Sequence, residues 1–139
     1  MEYLIYKMKM IVLDTNFLMV PYQFKIDIFS EFDRICNFGY KLFIFDQSIN
    51  ELRKIIKVQS GKNKKAAQFA LKLVKLKNIN VIESEQKDVD LLMLNNLRDD
   101  TIVATQDKSL KKELIKKGIS VITLRQKKYL YIIERKLYK

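Results

Sequence analysis

Five short apolar runs, separated by segments of helical periodicity, constrain the fold of this chain more than any other feature. Each run is nearly continuous in apolar residues and rich in Val, Ile and Phe, which is typical of strands buried on both faces of a parallel sheet. We therefore predict an α/β fold, a three-layer α/β/α sandwich with a central parallel five-stranded sheet. The predicted strands are Lys9–Leu13, Leu42–Phe45, Ile79–Glu83, Thr101–Thr105 and Ser120–Leu124.

The length of 139 residues suits a single compact domain, and no linker or repeat divides the chain. Residues 1–8 are a candidate N-terminal extension, and 125–139 form a basic, aromatic tail. No signal peptide and no run of 18 apolar residues is evident, so we expect a cytoplasmic protein without membrane contact. The lone Cys36 is expected to be buried and not reactive.

The net charge is +11, from 27 Lys and Arg against 16 Asp and Glu. A surplus of this size favours polyanionic partners, and RNA above all, through counterion release. A lysine-rich surface that reflects only the background composition of the proteome is the alternative.

The residues that are missing narrow the chemistry. The chain has no His and one Cys, which excludes imidazole bases and thiolate metal clusters. Glycine-rich phosphate loops are absent as well. If the protein is an enzyme, carboxylates carry the reaction, and carboxylates are ligands for hard cations such as Mg²⁺ or Mn²⁺.

Four acids are predicted at one edge of the sheet. Asp14 and Asp107 follow strands, Asp90 opens the helix before the fourth strand, and Glu51 lies in the first turn of the helix after the second strand. Carboxylates that converge repel one another unless a cation neutralises them. This convergence predicts a metal site.

Each acid also has a purely structural interpretation. Glu51 completes an S-x-x-E capping box with Ser48. Asp107 suits a helix N-cap, Asp90 a first helical turn and Asp14 a turn with Asn16. A capping carboxylate can also bind a metal, so the two interpretations are compatible.

The strings "VLDTNFL", "SINEL", "DLLML" and "VATQDKSL", in this order, resemble the PIN domain, a family of metal-dependent ribonucleases. Within that family, "DTNFLMVPYQFKIDIF", "GKNKKAAQFALKL" and "GISVITLRQKKYL" look like the archaeal relatives of the small-subunit rRNA-processing PIN nuclease. The resemblance extends from about Met10 to Arg135. Gln106, where many members have Asn, and Val89, where an acid is frequent, depart from the pattern.

The resemblance implies one or two Mg²⁺ or Mn²⁺ ions and a set of catalytic and metal-binding acids. Asp88 is the fallback for the third acid, because Val89 weakens the match there. The implied acids are Asp14, Glu51, Asp90 and Asp107, with Asn16 and Thr105 in support.

The implied activity is endonucleolytic hydrolysis of RNA phosphodiester bonds, in pre-rRNA processing and ribosome biogenesis. A VapC-type toxin ribonuclease and a catalytically silent RNA-binding assembly subunit are the alternatives. The expected partners are an rRNA precursor, ribosome-assembly factors and a second copy of the chain. The residues expected to bind RNA are Arg125, Lys127, Lys128 and Tyr129. The alternative for the tail is an amphipathic helix or strand that packs on the body or on a second copy.

Overall fold

The computed structural model describes residues 8–84 and 100–134. Six strands of this part form one sheet in the order β3-β2-β1-β4-β5-β6. Neighbouring strands are parallel, except that β6 runs antiparallel to β5. The strands are β1 (Lys9–Leu13), β2 (Tyr40–Phe45), β3 (Asn80–Ile82), β4 (Thr101–Ala104), β5 (Ser120–Arg125) and β6 (Tyr129–Ile133).

In the part of the chain that the structure describes, helices occupy the connections β1–β2, β2–β3 and β4–β5, and side chains are buried on both faces of the sheet. Strand β1 shows the two faces directly, because Ile11 and Leu13 belong to one buried cluster and Val12 to the other. The three-layer α/β sandwich predicted from the sequence is therefore confirmed. The helices of the described residues are α1 (Thr15–Leu18), α2 (Val20–Phe24), α3 (Ile28–Ile35), α4 (Asp46–Val58), α5 (Gly61–Leu76) and α6 (Lys108–Lys116).

The predicted sheet of five parallel strands is incomplete, because the tail supplies a sixth, antiparallel strand. Gln126 and Lys127 adopt positive φ angles of 55° and 57°, and Lys128 N donates to Arg125 O at 3.1 Å. These are the features of a type I′ turn, which returns the chain alongside the strand it has just left. The first part of the predicted tail is thus a hairpin that packs on the body.

Helix α3 fastens this added strand to the body. Glu31 accepts hydrogen bonds from Arg34 and from Leu130 N, the latter at 2.8 Å. Arg34 also donates to Leu130 O at 2.8 Å. The hydrogen bond from Arg34 is the main reason that the pKa of Glu31 lies below its usual value.

Cys36 follows α3 and is 9% exposed, which confirms its predicted burial. Desolvation, with a smaller contribution from Asp33, raises the pKa of its thiol to about 11. No helix within 8–84 or 100–134 has the length and apolar character that crossing a membrane requires.

Candidate metal-binding site

Asp14 stands at the junction of β1 and α1, at the carboxyl edge of the sheet. Its backbone N–H donates to Ala104 O at 2.9 Å, which fixes it beside the end of β4. Its Oδ1 accepts from Thr15 N at 2.8 Å and its Oδ2 from Thr105 Oγ1 at 2.7 Å. The residue is only 5% exposed, so these donors orient a nearly buried carboxylate.

Asp107 lies at the same edge, two residues beyond Thr105. Its Oδ1 accepts from Leu110 N at 3.0 Å and caps α6, which confirms the predicted N-cap. Its backbone N–H donates to Thr105 Oγ1 at 3.1 Å. The hydroxyl group of Thr105, which is fully buried, therefore links the Asp14 carboxylate to the Asp107 backbone. This link is possible because β1 and β4 are neighbouring strands.

Glu51 reaches the site by a different route from the one predicted. Helix α4 begins at Asp46, directly after β2, so Ser48 is an interior residue of the helix and makes no cap. The capping-box prediction is therefore wrong, and Glu51 lies in the second helical turn. Buried Ser48 Oγ instead forms a hydrogen bond with Thr15 Oγ1 at 2.9 Å, and Thr15 Oγ1 also bonds a carboxylate oxygen of Glu51.

Asn16 and Gln106 join the loops that carry the acids. Gln106 N donates to Asn16 Oδ1 at 3.3 Å. The Gln106 side chain continues the connection to β5, since its Oε1 accepts from Leu124 N at 2.8 Å and from Thr123 Oγ1 at 3.0 Å. Gln106 was noted in the sequence only as a departure from Asn. Its longer side chain positions the loop before Asp107.

Asp14, Glu51 and Asp107 line one cleft of about 440 Å³. Asp90 and its fallback Asp88 lie outside the described residues. Within 8–84 and 100–134, no three acidic, His or Cys side chains are grouped tightly enough to hold a metal ion. The donor chemistry nevertheless fits a hard cation, because the cleft offers carboxylate oxygens and its lining includes neither His nor Cys.

The cleft extends beyond the acids along α4, and no sequence pattern predicted this extension. Besides the acids, the cleft is lined by Lys54, Met19, Ile55, Val58 and Gln59. A helix brings residues three and four positions apart to one face, but only the tertiary fold shows which face meets the loop after β1.

The residues predicted to bind RNA surround the β5–β6 turn. Because β5 runs parallel to β1 and β4, this turn lies at the same sheet edge as the acids. Lys127 and Lys128 are exposed, and Tyr129 is half-buried. The Arg125 guanidinium lies over the ring of Tyr131 at 4.0 Å, so part of its predicted RNA-binding surface is used within the hairpin.

The fold and the cleft together define a class of protein, an α/β sandwich with an acidic cleft at the carboxyl edge of a mostly parallel sheet. The chain belongs to the family described as "PIN like domain", whose model matches residues 11–127. Ribonuclease VapC4 of Methanocaldococcus jannaschii is 35% identical over 124 residues, 88% of this chain and 95% of that protein. Ribonuclease VapC9 of Archaeoglobus fulgidus is 34% identical over 127 residues, 91% of this chain and 90% of that protein.

Among solved structures, the PIN domain endonuclease Utp24 superposes with a TM-score of 0.72 at 22% identity, over 92% of each chain. At this identity the likeness concerns the fold alone. It supports the architecture derived above from the strand order.

Proposed function

We propose that the protein is a metal-dependent endoribonuclease. The observation that carries the proposal is the Thr105 hydroxyl, which hydrogen-bonds both the Asp14 carboxylate and the Asp107 backbone in a cleft that Glu51 also lines. Buried donors that fix carboxylates at a sheet edge are the arrangement that a metal site requires. The relatives named as ribonucleases support the same activity.

The acids that would hold one or two Mg²⁺ or Mn²⁺ ions are Asp14, Glu51 and Asp107, with Asp90 as the expected fourth. When bound, such an ion supplies a water nucleophile and neutralises charge on the scissile phosphate. The surrounding residues orient the ligands: Thr105 and Thr15 each bond a carboxylate oxygen. A protein base is unnecessary for this chemistry, which agrees with the absence of His.

The β5–β6 turn is the proposed RNA-binding surface, with Arg125, Lys127, Lys128 and Tyr129. Leu124, the residue before Arg125, is bonded to Gln106, the neighbour of Asp107, which places the turn close to the cleft. Lys127 keeps a left-handed conformation there (φ 57°), a strained state for a residue with a side chain. Strain retained beside a candidate site supports a role for the lysine itself.

Two RNA-cleaving roles were predicted, and the relatives favour the VapC-type ribonuclease over pre-rRNA processing. The alignment with this chain covers at least nine-tenths of the length of each named relative, and about a third of the aligned residues are identical. The rRNA-processing assignment rested on short strings of sequence. An antitoxin is then the expected protein partner in place of ribosome-assembly factors.

The test of the nuclease proposal uses Asn substitutions, because Asn keeps a helix cap and removes only the charge. We expect Asp14→Asn and Asp107→Asn to reduce Mn²⁺-dependent cleavage of structured RNA by about 10²- to 10³-fold, since metal ions contribute several kcal/mol to transition-state stabilisation. Asp27→Asn is the matched control: Asp27 caps α3 through Phe29 N and Ser30 N and does not line the cleft. Equal residual cleavage in all variants would refute the proposal and indicate a contaminating nuclease.

The two biological roles separate on the RNA that is cut. Sequencing of RNA ends after induced expression should show cleavage of mature tRNA or rRNA for a VapC-type enzyme, and a small antitoxin frame should lie immediately upstream of the gene. Cleavage confined to precursor rRNA would support the processing role instead.

A further inference from the structure

Strand β6 ends the sheet formed by the described residues, and its own sequence does not protect that edge. Edge strands pair with other chains unless charged residues, Pro or a very short length prevents it. The other edge strand, β3, is only three residues long. Residues 129–133 of β6 instead read Tyr-Leu-Tyr-Ile-Ile, without a charged residue, Pro or Gly. Segments of this composition pair readily with copies of themselves, so β6 needs protection from outside the strand.

An ion pair on α3 supplies this protection at Leu130. Leu130 N donates to Glu31 Oε1 at 2.8 Å, and Leu130 O accepts from the Arg34 guanidinium at 2.8 Å. Arg34 and Glu31 are themselves joined by hydrogen bonds of 2.9 and 3.0 Å. In an antiparallel sheet, a residue exchanges one N–H···O bond in each direction with the residue opposite. The carboxylate and the guanidinium therefore take the place of one residue of a further strand.

The same hydrogen-bonding edge continues from Leu130 to Ile132. These two residues lie opposite Leu124 and Ile122 of β5. Because backbone groups alternate in direction along a strand, Ile132 directs its N–H and C=O to the same side as Leu130, away from β5. Two copies of β6, placed antiparallel about a two-fold axis at Tyr131, would pair Leu130 of each copy with Ile132 of the other. Such a contact is self-complementary and closed.

We propose that the edge of β6 is a self-pairing surface for a second copy of this chain, and that the Glu31–Arg34 ion pair keeps it closed. The ion pair occupies Leu130 in both copies, so it blocks both halves of the symmetric contact. The side chain of Arg34 is 53% exposed and that of Glu31 19%, so the pair can be removed without opening the core. Neither residue lines the acidic cleft, and the inference is independent of the nuclease proposal.

The test removes the ion pair and measures the oligomeric state by sedimentation velocity over a concentration series. We expect Glu31→Ala combined with Arg34→Ala to lower the dissociation constant of the dimer by about tenfold or more, because each released backbone group regains a hydrogen bond across the dimer. Hydrogen exchange of the Ile132 amide should slow as the dimer forms. Ile132→Pro, added to the double variant, should abolish the dimer, because Pro is tolerated on an edge strand where the lost N–H faces outward.

Two control variants on α3 separate protection of the edge from a general effect on the helix. Asp33→Ala removes a carboxylate that bonds Tyr40 Oη, and Glu31→Gln keeps an acceptor for Leu130 N; both should behave as the wild type.

A double variant with the wild-type dissociation constant would overturn the inference, and so would a dimer in which exchange at Ile132 stays fast. A wild-type protein that already dimerises with slow exchange at Ile132 would show that the ion pair does not close the edge. If the double variant does not fold, Arg34→Ala alone decides the question, because it removes only the exposed partner. It should then lower the dissociation constant by about threefold or more, and an unchanged value would overturn the inference.

Discussion

Replacement of Thr105 by valine tests whether a single hydroxyl group organises the acidic cleft. Valine keeps the shape of threonine but removes the donor to Asp14 Oδ2 (2.7 Å) and the acceptor for Asp107 N (3.1 Å). A hydrogen bond to a charged group contributes about 1.5–3 kcal/mol, and an unsatisfied buried N–H costs about 1–3 kcal/mol. The added buried methyl group offsets about 0.8 kcal/mol, so we expect a net loss of roughly 2–5 kcal/mol in the free energy of unfolding.

Urea unfolding with and without Mn²⁺ measures this loss. Thr105→Ser keeps the hydroxyl group and should lose about 1 kcal/mol or slightly more, through the missing methyl group alone. Because residues that orient metal ligands alter metal affinity by about 10–100-fold, Thr105→Val should also bind Mn²⁺ more weakly than Thr105→Ser. If valine and serine variants unfold at the same urea concentration and respond equally to Mn²⁺, the hydroxyl group does not organise the site.

Two further predictions concern the β5–β6 hairpin. The lowered pKa of Glu31 means that its stabilising contact with Leu130 N is present above the unfolded pKa, near 4.5, and is lost as the pH falls through the folded value. Hydrogen exchange of the Leu130 amide, corrected for its intrinsic rate, should accelerate below pH 4.5 in the wild type and be independent of that transition in Glu31→Gln. Lys127→Gly should raise the free energy of unfolding by about 1 kcal/mol, because glycine adopts φ 57° without strain. The same change should reduce the slope of log RNA affinity against log salt concentration by about one unit, because one phosphate contact is lost. An unchanged slope would remove Lys127 from the RNA-binding surface.

The sheet was predictable from the sequence as far as its strands are buried on both faces. Runs such as Lys9–Leu13 and Thr101–Ala104 are apolar because helices cover both sides of them. Strand β6 was predicted only as one alternative for the tail, an amphipathic helix or strand, because it is an edge strand with basic neighbours. Its turn contains Gln126 and Lys127 at positive φ, where Gly or Asn would have signalled a hairpin.

The site was predictable where it depends on strand ends and unpredictable where it depends on contacts between elements. The positions of Asp14 directly after β1 and of Asp107 three residues after the end of β4 were sufficient to place them at one edge. The bond between Thr15 and Glu51 spans 36 residues, so no local pattern contains it. The three-residue spacing of Ser48 and Glu51 suggested a capping box. In the structure the two residues lie about one turn apart within α4, and both contact Thr15.

The helix-capping role of Asp107 and its proposed metal-binding role share one carboxylate without competing for it. Oδ1 accepts one hydrogen bond as the cap of α6, and a carboxylate has about four acceptor sites. The positive end of the helix dipole also favours a negative charge at this position.

These shared roles can be separated by substitution. Asp107→Asn retains the cap and should keep the metal-free stability within about 0.5 kcal/mol, whereas Asp107→Ala should lose about 1 kcal/mol. Stabilisation by saturating Mn²⁺ should fall equally in both variants, because both remove the ligand charge. If Asn retained the full Mn²⁺ response in urea unfolding, Asp107 would be a helix cap and not a metal ligand.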